Sequence, residues 1–171
     1  MALIKSVKGN SPIFGDNVYL AENATIVGDV KMGNDCSVWF SAVIRGDVNS
    51  IRIGNKVNIQ DGAIIHCTYQ KAATILGNNV SVGHNALVHG CTISDNVLVG
   101  MGAIVMDGVV VESNSIIAAG AVVLEGTHIE SGTIYAGIPA KKVKELNEEQ
   151  TARLIEGISN NYVMYSSWFK A

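Results

Sequence analysis

The chain has 171 residues, of which 18 are Gly and only 2 are Pro, and a formal charge of −3. That length suffices for one domain with a sizeable core, and glycine without proline excludes collagen-like and disordered chains. The small negative charge argues against a nucleic-acid partner. Three cysteines, Cys36, Cys67 and Cys91, show no paired spacing and suit a reducing, cytoplasmic compartment. Met1 to Lys8 alternates apolar and polar residues, unlike a secretory signal, and no stretch approaches the ~18 apolar residues of a membrane span, so no membrane partner is expected.

From about Ala24 a period of six governs the chain. Aliphatic residues recur at Ile26, Met32, Val38 and Ile44, resume at Ile53, Ile59 and Ile65, and continue through Val82, Val88, Val105 and Val123 to Ile129. Two places before each stands a small or β-branched residue, such as Ala24, Ala42 or Ala63. Turn residues follow at Gly33-Asn34-Asp35, Gly54-Asn55-Lys56 and Gly77-Asn78-Asn79. Each hexapeptide therefore reads as one short strand with one buried face, plus one corner. Three of them close a triangular coil of about 18 residues, and coils stacked about 4.8 Å apart form a parallel β-helix. The register gains three residues between Val48 and Ile51, and five between Ala63 and Thr74, which predicts a small loop over Thr68 to Ala73. It loses one near Thr92. The β-helix domain spans 1–140. Beyond Ile138-Pro139 the pattern stops, and Asn147 followed by Gln150 is a capping-box pair ahead of Leu154, Ile155 and Ile158. A C-terminal α-helical segment packing on the prism is predicted over 141–171.

The register also places the histidines. His66 and His89 each follow a core aliphatic residue and lie 23 positions apart. Removing the five-residue loop leaves one coil, so the two should stack on one corner, near enough to share a metal. Arg45 belongs to the same edge, one coil earlier. His84 lies on the preceding corner above Asp61, with Gln60 adjacent, roughly 15–20 Å from the first edge. It can join His66 and His89 only if another copy presents its second edge to the first, as a closed three-fold ring does. A lone histidine in a turn is ordinarily a solvated polar residue, and His128 reads that way. Two stacked histidines and a complementary third make a three-histidine set with an open fourth position, the ligand set of a catalytic zinc. Three imidazoles suit iron(II) and cobalt(II) as well. Cys67 should point away from its neighbour His66 and is read as structural.

Arg45-Gly46-Asp47, Asn58-Ile59-Gln60-Asp61, Ile65-His66, Gly83-His84-Asn85 and Val88-His89-Gly90 together resemble the γ-class carbonic anhydrase family, in its short bacterial branch. The tail Ala136 to Lys141 fits too, although hexapeptide acyltransferases share it. The resemblance implies a left-handed parallel β-helix, a handedness the usual crossover preference does not supply. It also implies a homotrimer whose metal ligands His66, His84 and His89 come from two subunits. Its reaction is reversible hydration of carbon dioxide to bicarbonate by metal-bound hydroxide. Gln60 would orient the hydroxide or polarise the substrate. Arg45, Asp47 and Asp61 would form a charged network across the subunit contact, with Arg45 and Asp47 either catalytic or a structural ion pair. Tyr162 would approach the site or simply pack against the prism.

The chain departs from the family archetype in one respect. Thr68 to Ala73 contains no carboxylate, and Val48 stands where the archetype has an acidic residue, so the archetype's proton-exporting acids are absent, which implies low activity, export by buffer or another residue, or a different task. Two other functions suit the same fold: a coenzyme A-dependent hexapeptide acyltransferase with one histidine as general base, and a non-catalytic trimeric metal-binding scaffold.

Overall fold

The computed structural model describes residues 1–169. The hexapeptides wind into a left-handed parallel β-helix of about seven turns, followed by a C-terminal helix. Successive coils pair strand on strand. Ile26, Ile44, Ile65, Val88, Val105 and Val123 form one inward column, and all six are fully buried. The alternation that predicted single-faced strands thus becomes a stack of aliphatic layers, each closed by the coils above and below.

Corners follow from the Gly-Asn pairs. Asn34 N–H donates to Asn55 Oδ1, Asn55 N–H to Asn78 Oδ1 and Asn78 N–H to Asp95 Oδ1, so each side chain caps the coil beneath it. The glycine lets the coils approach, because a Cβ on Gly54 would stand 2.7 Å from the backbone of Gly77.

The breaks in period appear as irregularities of the prism. Strand Thr25–Met32 pairs with Val43–Ile53 as far as Gly28 opposite Gly46 and resumes with Val30 opposite Ile51. Asp47 to Ser50 therefore bulge outward. Strands Ile64–His66 and Thr74–Leu76 are separated by the predicted loop, closed by Thr68 N–H donating to Ala72 O at 3.0 Å.

The helical segment expected from residue 141 starts later. Lys141–Glu145 is a strand, antiparallel to Thr133–Ala136, because the last coil offers a row of backbone groups that a reversed strand can satisfy and a helix cannot. Helix begins at Glu148 behind the predicted capping box, with Gln150 N–H donating to Asn147 Oδ1 at 2.8 Å. A π-helical stretch, Ala152–Glu156, leads into the α-helix Gly157–Ser167. Ile155 is fully buried, Ser159 Oγ donates to Lys56 O, and Tyr162 meets Trp39 edge-on at 5.3 Å, so the helix lies along one prism face. The last two positions of the expected segment, 170–171, lie outside the described residues. Among the described residues no helix is long and apolar enough to cross a membrane.

Candidate metal centre

Strands Ile64–His66 and Leu87–His89 are neighbours in register, with His89 opposite His66. Because Ile65 and Val88 point inward, the histidines after them point out of the corner, and His66 Nδ1 lies 3.0 Å from His89 Nε2. The outer nitrogen of each ring meets a carboxylate: His66 Nε2 is 3.2 Å from Asp47 Oδ1, and His89 Nδ1 is 2.5 Å from Asp107 Oδ1. Carboxylates only accept, so both outer nitrogens carry the proton. In the neutral rings the two inner nitrogens then face each other as lone pairs, an arrangement that calls for a cation between them. Two nitrogens at 2.0–2.1 Å from one tetrahedral metal would stand about 3.3 Å apart, close to the separation seen. These residues fit a divalent metal, and the backing carboxylates are the outer partners that metal-bound histidines ordinarily have.

Burial holds His66 below the usual histidine range, outweighing its hydrogen bond to Asp47. Burial alone would push Asp47 up, but the hydrogen bonds from Arg45 and His66 outweigh it and keep the carboxyl low. Arg45 donates to Asp47 Oδ2 at 2.6 Å, so Arg45, Asp47 and His66 form one chain of contacts. Both shifts have the same linkage sign. Each group binds protons more readily unfolded than folded, so stability is fully present above the unfolded pKa and is lost as pH falls towards the folded one. The melting temperature of metal-free protein should therefore fall as pH drops below about 6.5, and further once carboxylates protonate below about 4. A flat profile from pH 7 to 3 would count against both assignments.

The other predicted residues gather at another corner. His84 Nδ1 lies 2.9 Å from Asp61 Oδ2, which leaves Nε2 as the nitrogen that could take a metal, on a side chain 41 % exposed. Within the chain Asp61 pairs with His84, while Arg45 pairs with Asp47. Gln60 is buried, and its Nε2 donates to Asn58 Oδ1 at 2.9 Å, within a ladder continued by Asn58 Nδ2 donating to Ser81 Oγ. Gln60 and His84, with Tyr162 and Ile158 from the helix, line a mainly apolar cavity of about 420 Å³. Burial, then the charges of Asp61 and Tyr165, push the Tyr162 phenol up to about 12, which keeps it a neutral donor. His89 instead lines a separate cavity of about 290 Å³ with Asp107 and Glu125. Among the described residues of one chain, no three candidate ligands converge on a metal position.

Asp107 and two threonines escaped the sequence reading. Thr68 Oγ1 donates to Asp107 Oδ2. Thr74, fully buried, donates to His66 O and accepts from Gly90 N–H, stitching together the two coils that carry the histidines. Continuing the coil register upward from His66 and His89 leads to Met106-Asp107 and was the available signal. Cys67 is buried with Sγ donating to Asn49 O at 3.3 Å, and burial pushes its thiol up, in keeping with a structural role. His128 is exposed and pairs with Glu112.

Residues 90–125 match the family described as bacterial transferase hexapeptide (six repeats). A solved hexapeptide transferase family protein from Anaplasma phagocytophilum superposes with a TM-score of 0.92 at 37% identity, covering 98% of each chain. A protein of Geobacillus kaustophilus named carbonic anhydrase is 44% identical over 169 residues, covering 99% of this chain and 92% of its own. Gamma carbonic anhydrase 2 of Arabidopsis thaliana mitochondria is 40% identical over 162 residues, 92% of this chain but 58% of the plant protein, so the chain spans less than two thirds of that relative. On the strength of these likenesses to proteins named carbonic anhydrase, the chain belongs to the γ-carbonic anhydrase family.

Proposed function

We propose that the protein catalyses reversible hydration of carbon dioxide at a divalent metal held between copies of a homotrimer. His66 and His89 of one copy and His84 of the next would hold zinc, with iron(II) or cobalt(II) fitting the same donors. The observation that carries this reading is the pair of facing nitrogens at the His66–His89 corner, each ring backed by a carboxylate. Sharing between copies is supported by the exposure of His84 at a different corner. It is supported too by an outward column of Val43, Ile64, Leu87, Ile104 and Val122, whose Ile64 and Ile104 are 43% and 36% exposed. A neighbouring copy would cover that column beside the histidine corner.

When bound, the metal acidifies water so that hydroxide is available near neutral pH. The chain's own groups do the positioning. Gln60, held through Nε2 by Asn58, offers its Oε1 as an acceptor that orients the hydroxide. The Tyr162 hydroxyl, on the same cavity, stays protonated and can donate to substrate oxygen. Asp47 and Asp61 fix the rings of His66 and His84, and Arg45 steadies Asp47. The three buried free cysteines suit a reducing, cytoplasmic setting. Carbon dioxide and bicarbonate are the partners of the site, and neither nucleic acid nor membrane is required.

Stopped-flow hydration on protein purified without oxygen, with zinc and iron measured on the same sample, tests the reading. Activity that disappears with a chelator and returns with metal is expected. Its rate should climb with buffer concentration, since the Thr68 to Ala73 loop carries no acid to export the proton. Full metal occupancy without hydration would favour the scaffold reading, and acyl transfer by metal-free protein would favour the transferase reading.

A further inference from the structure

The Thr68 to Ala73 loop brings no acid of its own to the histidine corner, yet its first residue grips one. Asp107 descends from the coil above, and its two oxygens are divided between two donors: Oδ1 accepts from His89 Nδ1 and Oδ2 from Thr68 Oγ1, each at 2.5 Å. Room for this exists because residue 90 is glycine. A Cβ there would stand 2.3 Å from Asp107 Oδ1. The Asp107 side chain is 16% exposed, so the contact is largely shielded from water. A second tie anchors the loop at its far side, where Lys71 Nζ meets Glu125 Oε1 at 2.8 Å.

We propose that Thr68 and Asp107 act as a positioning clamp for His89, fixing the tautomer with hydrogen on Nδ1 and presenting Nε2 to the metal. The inference rests on the metal reading above and assigns the loop a task other than proton export. An imidazole without an outer partner exchanges its proton between the two nitrogens and turns about its side-chain bonds. Part of the population then carries hydrogen on the atom meant to ligate. Losing such an outer partner ordinarily weakens metal binding by about 10- to 100-fold. The arrangement is directional. Asp107 with both oxygens engaged cannot rotate, so the hydroxyl of Thr68 sets the carboxylate plane and the carboxylate sets the ring.

The test compares wild type, Asp107→Ala and Thr68→Val in two measurements. Cobalt(II) affinity is taken from chelator competition and followed by the visible absorption of the bound ion. Histidine tautomers are read from nitrogen-15 shifts in metal-free protein, a quantity that packing changes elsewhere would not move. Cobalt affinity should fall about 10- to 100-fold in Asp107→Ala and by less in Thr68→Val. The His89 signals of metal-free protein should pass from a fixed Nδ1–H form to an exchanging mixture. Unchanged tautomer and affinity in both variants would overturn the clamp. If wild type takes up no cobalt, the metal reading fails, and the tautomer measurement still decides the clamp. Thr68→Val, which removes one hydroxyl at nearly constant volume, keeps the test decisive should Asp107→Ala fail to fold.

Discussion

Alanine at His89 should abolish metal binding while leaving the proposed trimer assembled, and mixing that variant with His84→Ala should restore about a quarter of the metal sites. The first half follows from position. His89 sits on an outward corner and contributes nothing to the aliphatic layers, so its loss removes a ligand and no core. The second half follows from the separation of His84 from the His66–His89 pair, since His84 and His89 line different cavities of the same chain. In a random mixture, a site is intact when one neighbour supplies His84 from an His89→Ala chain and the other supplies His66 and His89 from an His84→Ala chain. Each condition holds about half the time. Metal per chain after subunit exchange measures it. Full occupancy in His89→Ala alone would refute the site as drawn, and no recovery on mixing would mean that the ligands are not shared between copies.

Ile65→Ala should cost about 2–5 kcal/mol, whereas Ile64→Ala one residue away should cost the isolated fold little. Ile65 is fully buried between Ile44 and Val88, and its truncation leaves a void in a stack that coils above and below prevent from collapsing. Ile64 points outward and is 43% exposed. Its effect belongs to association: Ile64→Glu should shift the trimer towards monomer in sedimentation, since a charge would be buried where the neighbouring copy is expected to dock. Denaturant unfolding at several protein concentrations separates the two effects. Equal losses for Ile64→Ala and Ile65→Ala would contradict the assignment of faces.

The prism was legible because hexapeptide periodicity writes both its strands and its corners into local residue types. Ile26, Ile44 and Ile65 could be stacked by counting alone, and so could His66 under His89 and Asp61 under His84. The counting failed where the fold stops repeating. Lys141–Glu145 carries no local mark of strand, since all five side chains are exposed and the segment owes its conformation to the free edge beside it. Asp107 was hidden for a related reason. Its reach towards His89 depends on the missing side chain of Gly90, on the hydroxyl of Thr68 and on a coil of altered length, three facts that no single motif contains. Tyr162 was predicted from the resemblance, and its place beside Gln60 is set by the packing of the helix on Trp39.

The reversed strand at the end of the prism also governs growth. A stack of identical coils has no inherent length, and an open parallel edge invites the next chain to add another layer. Lys141–Glu145 closes that edge on one face in the opposite polarity and lays Lys141, Lys142 and Lys144 along the new rim, where a further strand would meet like charge and mismatched pairing. On that face the prism ends in a reversed, lysine-bearing rim that discourages the addition of a further coil.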